Sequence, residues 1–264
     1  MPGNHLKPKH AVAIDYDHAT SVHTLQGAAA ALSTIFGACA APKSVLDVGC
    51  GTGTWLRAAT DLGAFDVLGI DGIAVPERQL HVASTAIELC DLSNPFSLGR
   101  RFDVAFCLEV AEHLPESSSV GLISSIAAHS DAILFSAACP GQPGQHHVNC
   151  QWPCYWQELF NGEGYVCDDS VRWQIWDDRR IEPWYRQNIF WARREPQYAG
   201  REPRLKAVIH PEFGGMIKKF DEMTKNMNRS LRDDIEEGRM QIAWYAAISS
   251  QAMLAKLFRR LHLR

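Results

Sequence analysis

The chain has 264 residues, which is long enough for one large α/β domain with extensions. Its net charge of -4 and pI near 6.2 give no broad basic field for holding nucleic acid, so we predict no nucleic-acid partner. Eight cysteines lie scattered without the framework of a small secreted protein, and the sequence opens without a charged-then-apolar leader. No apolar run is long enough to span a bilayer. These features favour a reduced, cytoplasmic protein with no integral membrane segment.

The first 43 residues are predicted to form an arm and a cap helix. Residues 1–20 carry prolines, a glycine and histidines among polar neighbours, which is typical of irregular chain. Small and apolar residues return at helical spacing over residues 21–38, so a helix is predicted before the first strand.

A glycine-rich turn follows the first predicted strand. The short apolar run at residues 45–48 predicts a buried central strand. Gly49, Gly51 and Gly53 come next, and because glycine readily adopts positive φ, a ligand can approach the main chain there. Residues 54–62 carry one apolar stripe at helical spacing, so the turn leads into a helix whose first amides face a crevice.

Acidic residues at the strand ends indicate which class of ligand-binding site this glycine turn belongs to. Asp47 stands two residues before the first glycine, whereas dinucleotide sites favour G-x-G-x-x-G with an acid further on. Asp71 ends a second apolar run at residues 67–72, and its distance along the chain from Asp47 suits a βαβ unit. A carboxylate in that position can accept hydrogen bonds from both ribose hydroxyls. A nicotinamide-dependent oxidoreductase is disfavoured, because the third glycine follows too soon.

Residues 45–53 resemble the first motif of class I S-adenosylmethionine-dependent methyltransferases, in which the glycines pass the methionine part of the cofactor. Residues 102–114 are similar to the fourth strand of that family and its edge. The resemblance implies S-adenosyl-L-methionine as cofactor, with Asp91 beside the adenine. The cofactor contacts that it implies come from the glycine loop and the strand ends: Asp47, Gly49, Cys50, Gly51, Gly53, Asp71, Gly72, Asp91, Leu92, Leu108 and Glu109.

Strands and helices alternate through the rest of the domain. Apolar runs predict strands at residues 87–92, 102–108 and 132–136, and residues 120–128 predict a helix. The resulting fold is α/β, a doubly wound, mostly parallel, seven-stranded Rossmann-like sheet. The sequence S-N-P-F at residues 93–96 is superficially similar to the N-P-P-Y motif of amino-group DNA methyltransferases. It precedes the fourth strand instead of ending it, so we interpret it as a turn.

The loop at residues 139–153, the histidine loop, is dense in proline, glycine, histidine and cysteine. We expect substrate chemistry there. In one interpretation, His146 or His147 is a general base that removes a proton from a hydroxyl as it attacks the methyl group. A second interpretation is a zinc site formed by His146, His147, Cys150 and Cys154, although this spacing matches no common zinc pattern. In a third, the polar groups only fix the loop. We predict no metal.

The catalytic candidates are His147, His146 and His113; for His113 a structural role at the turn after the fourth strand stays open. A helix is predicted at residues 155–162 and the sixth strand within residues 165–176. Aromatic residues then recur, and they either fill the core or form a wall against a ring of the substrate. The predicted substrate contacts come from the cap, the histidine loop and this aromatic stretch: His18, His23, Asn149, Trp184, Tyr185 and Gln187.

The chain changes character near residue 195, where prolines and a glycine mark a linker to a charged, helix-favouring tail. We therefore divide it into an arm and cap helix at 1–43, a cofactor-binding domain at 44–194 and a C-terminal helical extension at 195–264. The tail packs on the domain or forms a homodimer, and both alternatives stay open. Residues 256–264 form a basic amphipathic stretch suited to peripheral contact with a membrane surface or an acidic partner.

The resemblance implies a methyltransferase that acts on a small-molecule acceptor, for which we predict a hydroxyl of a sugar or natural-product intermediate. The transfer is one in-line displacement, in which positioning alone removes several kcal/mol from the barrier. The alternative is a non-catalytic module that binds the cofactor and acts through its C-terminal helices.

Overall fold

This computed structural model describes Tyr16 and residues 23–37 and 40–215. The chain divides into two units, Met1–Gly214 and Gly215–Arg264, and the first contains all seven strands named below. The predictions for His18, for most of the N-terminal arm and for the C-terminal helices, including dimerisation and membrane contact, fall outside the described residues. Within the described residues, no helix combines the length and the apolar character needed to cross a membrane.

The described residues form one seven-stranded sheet with the order β3-β2-β1-β4-β5-β7-β6. All neighbouring strands pair in parallel except β7, which is antiparallel to both β5 and β6. The predicted doubly wound, mostly parallel α/β sheet is therefore confirmed. The strands are β1 (Ser44–Val48), β2 (Asp66–Asp71), β3 (Ile87–Leu89), β4 (Val104–Leu108), β5 (Ala132–Ser136), β6 (Tyr165–Asp168) and β7 (Phe190–Arg194).

Helices cover both faces of the sheet, because alternate residues of the central strands point to opposite sides. Leu46 and Val48 of β1 pack in one apolar cluster with α3 and α4, whereas Val45 packs in a second cluster with α1 and α2. The helices are α1 (Leu25–Phe36), α2 (Thr54–Leu62), α3 (Ser119–His129), α4 (Pro153–Gly162), α5 (Ser170–Ile175) and α6 (Pro183–Asn188).

The strand order creates a crevice beside β1. The chain runs from β1 outward to β2 and β3, then returns to β4 on the other side of β1. In open α/β sheets, ligands bind at such a reversal, outside the carboxyl ends of the strands. The glycine turn after β1 and the segment after β4 meet at this point.

The sixth strand occupies the start of the range predicted to contain it. β6 ends at Asp168, whose carboxylate accepts hydrogen bonds from the Ser170 amide (3.0 Å) and the Ser170 hydroxyl (2.6 Å). This local turn starts α5, because a side chain that binds the backbone two residues later favours a turn over a continued strand. The apolar residues of α5 thus fill the core as a helix face, as Val171 and Ile175 are both buried.

The segment after β7 packs back onto the first unit. Leu205 and Phe213 are buried, and the buried Arg186 of α6 donates a hydrogen bond to Glu212 (2.5 Å). Burial of the Arg186 guanidinium requires such a partner, because an unpaired buried charge is strongly destabilising. Residues 195–214 therefore belong to the same unit as the sheet.

Candidate active site

A cleft of about 810 Å³ opens at the carboxyl ends of β1, β2 and β4. A volume of this size is typical of sites for cofactors and small molecules. Of the residues predicted from sequence, the cleft is lined by Asp47, Gly49, Cys50, Gly51, Asp71, Gly72, Asp91, Leu92, Leu108, Glu109, His113, His23 and Tyr185. The glycine loop, the strand ends and one histidine therefore come together in one place.

Backbone geometry explains the glycines of the loop. Gly49, Gly51 and Gly53 have φ values of 76°, 51° and 76°, in the left-handed region that side chains disfavour. A Cβ on Gly49 would lie 2.4 Å from Val110 Cγ2, so the close approach of the two loops also requires glycine. Gly53 caps α2 and does not line the cleft, which differs from the role expected for it.

Asp71 ties the end of β2 to the glycine loop. One carboxylate oxygen accepts from the Gly51 amide and the other from the Ile73 amide, both at 2.8 Å. The side chain is buried but lines the cleft. This carboxylate therefore shapes the loop and also faces the space in which a ligand binds.

Asp47 places a second carboxylate at the floor of the cleft. It is only 2% exposed, and its Oδ2 atom has no hydrogen-bond partner in the described part of the chain. Burial, and then the charge of Asp71, raises the pKa of Asp47 from 3.8 to about 8. An unpartnered buried carboxyl group of this kind is suited to a cationic ligand.

Asp91 holds the turn after β3. Its carboxylate accepts from the Ser93 amide (3.0 Å), the Ser93 hydroxyl (2.5 Å) and the Asn94 side chain (2.8 Å). The turn predicted at residues 93–96 is formed by residues 91–94, where the Asn94 amide donates to the Asp91 carbonyl (3.2 Å). Leu92 beside it is buried and lines the cleft, so this turn presents both a carboxylate and an apolar surface.

Glu109 follows β4 in a left-handed conformation with a φ of 56°, which is uncommon for a residue with a side chain. Its two carboxylate oxygens accept from the Gln142 amide (2.7 Å) and the Asn188 amide (3.0 Å). The Asn188 amide also donates to Gln142 Oε1 (2.8 Å). Burial raises the pKa of Glu109, and these hydrogen bonds act in the opposite direction. Neither amide was singled out from the sequence.

Glu112, His113 and His147 form a polar cluster beside the cleft. Their carboxylate and imidazole atoms lie within 4.8 Å of one another, and the two imidazole centroids are 5.1 Å apart. Burial, and then the charge of Glu109, raises the pKa of Glu112 well above its usual range. Burial, and then His147, lowers the pKa of His113 to about 4, and burial also lowers the pKa of His147. His113 lines the cleft, whereas His147 stands behind it.

The rest of the histidine loop is structural in its contacts. His146 is exposed with a φ of 48°, and Asn149 is buried, with its amide 3.0 Å from Ser119 Oγ. The amides of Val148 and Asn149 donate to the Glu112 carbonyl at 2.9 and 3.0 Å. The loop is therefore fixed onto the turn after β4, and Asn149 does not reach the cleft as a lining residue.

Aromatic side chains close part of the cleft. Trp55 Nε1 donates to Tyr185 Oη (3.2 Å), which lies 2.8 Å from His23 Nδ1. Trp55, Tyr185 and His23 are therefore joined by a chain of two hydrogen bonds. Trp184 packs edge-on against His23 with ring centroids 6.4 Å apart, and the Tyr16 ring contacts His113 at 4.9 Å.

Some predicted contacts lie elsewhere, and some lining residues were not anticipated. Gln187 is 1% exposed and faces the interior, where it accepts from the His210 amide (2.8 Å) and its own amide contacts Cys139 Sγ (3.0 Å). The lining residues not named as ligands from the sequence are Tyr16 and residues that follow the glycine loop, β2 or β4: Thr52, Thr54, Trp55, Ile73, Ala74, Arg78, Gln79, His81, Val110 and Leu114.

Residues 18–165 match the family described as methyltransferase domain, and this range covers more than half of the chain. Ubiquinone biosynthesis O-methyltransferase of Haemophilus ducreyi is 33% identical over 104 residues, which cover 35% of this chain and 44% of that protein. The protein of the same name from Pseudomonas fluorescens is 36% identical over 96 residues, which cover 30% of this chain and 37% of that protein. The matched stretch thus spans less than half the length of these relatives.

Among solved structures, the sugar N-methyltransferase KedS8 from Streptoalloteichus is similar with a TM-score of 0.53. The similarity covers 73% of this chain and 100% of that one at 14% identity, which shows a likeness of fold alone. The match over residues 18–165, the sheet order and the glycine loop agree with the sequence prediction. This chain belongs to the methyltransferase domain family, the class I S-adenosylmethionine-dependent methyltransferases.

Proposed function

We propose that this chain transfers a methyl group from S-adenosylmethionine to a hydroxyl of a small molecule, a sugar or natural-product intermediate. The observation that carries the proposal is the composition of the cleft. One wall contains the glycine loop with Asp47 and Asp71, and the same cleft is lined by His113 and Tyr185. A cation-binding carboxyl group, a ribose-binding carboxylate and a polar and aromatic surface for an acceptor therefore share one space.

The cleft fits the cofactor by charge and polarity. The α-amino and sulfonium groups of S-adenosylmethionine are cations, and Asp47 offers a buried carboxyl oxygen that accepts no hydrogen bond from the described residues. Asp71 lines the cleft at the end of β2, and carboxylates form short, strong hydrogen bonds with hydroxyls such as those of ribose. Leu92 and Leu108 are buried at the cleft and offer apolar surface for the adenine.

The residues of this chain then have to align an acceptor and keep water out. Bound S-adenosylmethionine supplies a methyl group on a sulfonium, which is a good leaving group. Tyr185 is buried and its hydroxyl is held by Trp55 and His23, so the aromatic part of the wall is rigid. Holding two reactants in line replaces a bimolecular encounter and removes several kcal/mol from the barrier.

An oxygen acceptor is supported by the relatives and by the polar cluster. The two relatives described above are named O-methyltransferases, and a hydroxyl needs help to lose its proton as it attacks a methyl group. His113 lines the cleft, and His147 contacts it edge-on. The aromatic wall suits a flat ring next to the reacting hydroxyl.

Calorimetric titration with S-adenosylhomocysteine tests the cofactor assignment. We choose Asp71→Asn because it retains one of the two oxygen acceptors that hold the Gly51 and Ile73 amides, whereas Asp71→Ala would remove both. We expect micromolar binding by the wild type and at least tenfold weaker binding by the variant. The matched control is Asp66→Asn at the opposite end of β2, which should bind like the wild type. Binding of NAD in place of S-adenosylhomocysteine would overturn the assignment.

Transfer of a labelled methyl group to phenols and sugars tests the activity. Acceptor-dependent incorporation, lost in Asp71→Asn, is the expected result. If S-adenosylhomocysteine binds but no hydroxyl compound in a broad panel accepts the label, the non-catalytic alternative replaces this proposal.

A further inference from the structure

We propose that Glu112, His113 and His147 form a binding site for a divalent metal ion that holds the acceptor through two adjacent oxygen atoms. The inference deepens the proposed methyl transfer and rests on it for the identity of the acceptor. It differs from our sequence prediction, in which no metal was expected and the zinc alternative used His146, Cys150 and Cys154 beside His147.

Geometry is the first support. One carboxylate and two imidazoles present ligand atoms within 4.8 Å of one another. Oxygen and nitrogen ligands of one ion, each about 2.1 Å from it, lie roughly 3–4 Å apart, so the three side chains have to close by only about 1 Å. Side-chain rotations of this size need no change in the backbone.

Unpartnered polar atoms are the second, independent support. Glu112 is 0% exposed, and neither of its carboxylate oxygens has a hydrogen-bond partner in the described part of the chain. His113 Nδ1 is likewise buried without a partner there. Buried polar groups are normally satisfied, and those that are not call for an explanation such as an ion. A cation between Glu112 and the two imidazoles satisfies these atoms.

The histidine loop is built to present His147. Its Nδ1 lies 3.0 Å from the Gln142 carbonyl, which can only accept, so Nδ1 carries the proton and Nε2 carries the lone pair. A histidine whose second nitrogen donates to a backbone carbonyl is the usual arrangement of a metal ligand. Only glycine fits beside this ring, because a Cβ at position 144 would lie 2.1 Å from Nε2.

The loop is also anchored at the other ligand. The Glu112 carbonyl accepts from the amides of Val148 and Asn149, so the backbone itself holds His147 next to Glu112. Glu109 lies three residues before Glu112, directly after β4. Its carboxylate accepts hydrogen bonds from the side-chain amides of Gln142 and Asn188.

The ligand types indicate which ions bind. Two imidazoles with one carboxylate suit Zn²⁺, Fe²⁺, Co²⁺ or Mn²⁺ better than Mg²⁺ or Ca²⁺, which prefer oxygen ligands throughout. Three protein ligands leave at least one open position, and a five- or six-coordinate ion leaves two or more. Two adjacent hydroxyls, as on a catechol or a sugar diol, fill two such positions together.

The ion would also ease the chemistry of transfer. A metal ion lowers the pKa of an oxygen that it binds, so the hydroxyl releases its proton to solvent more readily. A lone pair of the acceptor oxygen then forms the new O–C bond while the C–S bond breaks. The electron pair of the broken C–S bond remains on sulfur. The sulfonium becomes a neutral thioether, so charge and atoms balance.

Metal titration of the full chain, stripped with a chelator, tests the site without any assay of activity. We expect one Co²⁺ ion per chain, seen by its visible absorption, and calorimetric binding of Zn²⁺. Glu112→Gln and His147→Asn should each weaken binding at least 100-fold, whereas Val148→Ala, an exposed neighbour, should bind as the wild type does. Unchanged S-adenosylhomocysteine affinity in all variants shows that they fold.

Three outcomes would overturn the inference. The first is no ion bound by the wild type below millimolar concentration. The second is a loss of metal affinity in His146→Asn as large as in His147→Asn, which would indicate the alternative zinc site that includes His146, Cys150 and Cys154. The third is equal change of the Co²⁺ spectrum by phenol and by catechol, since we expect only catechol to alter it. Metal binding without S-adenosylhomocysteine binding would instead refute the proposed function and leave the ion site standing.

Discussion

Replacing Asp47 by asparagine should stabilise the fold and weaken the binding of S-adenosylmethionine. Burial, followed by the charge of Asp71, raises the pKa of Asp47 from 3.8 to about 8. At about 1.4 kcal/mol for each tenfold change in the equilibrium, the charged form is disfavoured in the fold by about 6 kcal/mol.

The sign of the pH dependence follows from linkage. Between pH 4 and pH 8 the folded protein retains the Asp47 proton while the unfolded chain has lost it, so the wild type loses stability as the pH rises. The asparagine variant has no such proton. Its advantage in the free energy of unfolding should therefore be near zero at pH 4, grow up to pH 8 and stay constant above it.

Urea denaturation of both proteins at several pH values measures this difference. Other titrating groups are common to the two proteins, so they cancel to first order. Asp61→Asn is the control, because Asp61 is exposed on α2 and, among the residues that the structure describes, forms an ion pair with Arg57 alone. Loss of this exposed pair should change the free energy of unfolding by less than about 0.5 kcal/mol. A stability difference for Asp47→Asn that stays flat from pH 5 to pH 8, or that shrinks, would refute the reasoning.

Two further substitutions test the walls of the cleft. Gly49→Ala introduces a Cβ 2.4 Å from Val110 Cγ2 at a φ of 76°, so we expect a loss of about 1–3 kcal/mol in urea denaturation and weaker S-adenosylhomocysteine binding. Gly162→Ala is its control, since nothing lies within 4 Å of the added atom, and equal losses in both would contradict the argument. Tyr185→Phe removes the hydroxyl 2.8 Å from His23 Nδ1 and should cost about 1–2 kcal/mol and raise KM for an aromatic acceptor. An unchanged KM would exclude Tyr185 from the acceptor wall.

The sheet was readable from sequence because its central strands are continuous apolar runs covered on both faces. The run at residues 45–48 and the run at residues 132–136 each predicted a strand, and β1 and β5 lie there. The placement of Asp47 and Asp71 in one cleft could be predicted for a related reason. Both lie at the carboxyl ends of neighbouring parallel strands, which meet at one edge of the sheet. In such strands the local apolar pattern and the buried position in the fold agree, so the local pattern is enough to predict the strand.

The polar cluster of Glu112, His113 and His147 could not be predicted from the sequence, because it depends on contacts between residues that are far apart along the chain. Glu112 follows a strand and precedes a helix, where an acid is ordinarily exposed, and its burial depends on the loop at residues 139–151 folding over it. Gln142 and Asn188 meet Glu109 from two further segments, and no spacing rule connects them. The end of β6 is set locally, since Asp168 forms a side-chain turn with Ser170, and the range of residues 165–176 predicted to contain this strand left that end open.

The position of β7 has a consequence for synthesis of the chain. β7 is made last but lies between β5 and β6, so it joins two strands that do not pair with each other. While the ribosome is still making residues 190–194, β5 has an open edge and β6 has no neighbouring strand. Open strand edges attract other chains. The interval between the completion of β6 and the release of Arg194 is therefore the stage at which a nascent chain is most exposed to misassembly.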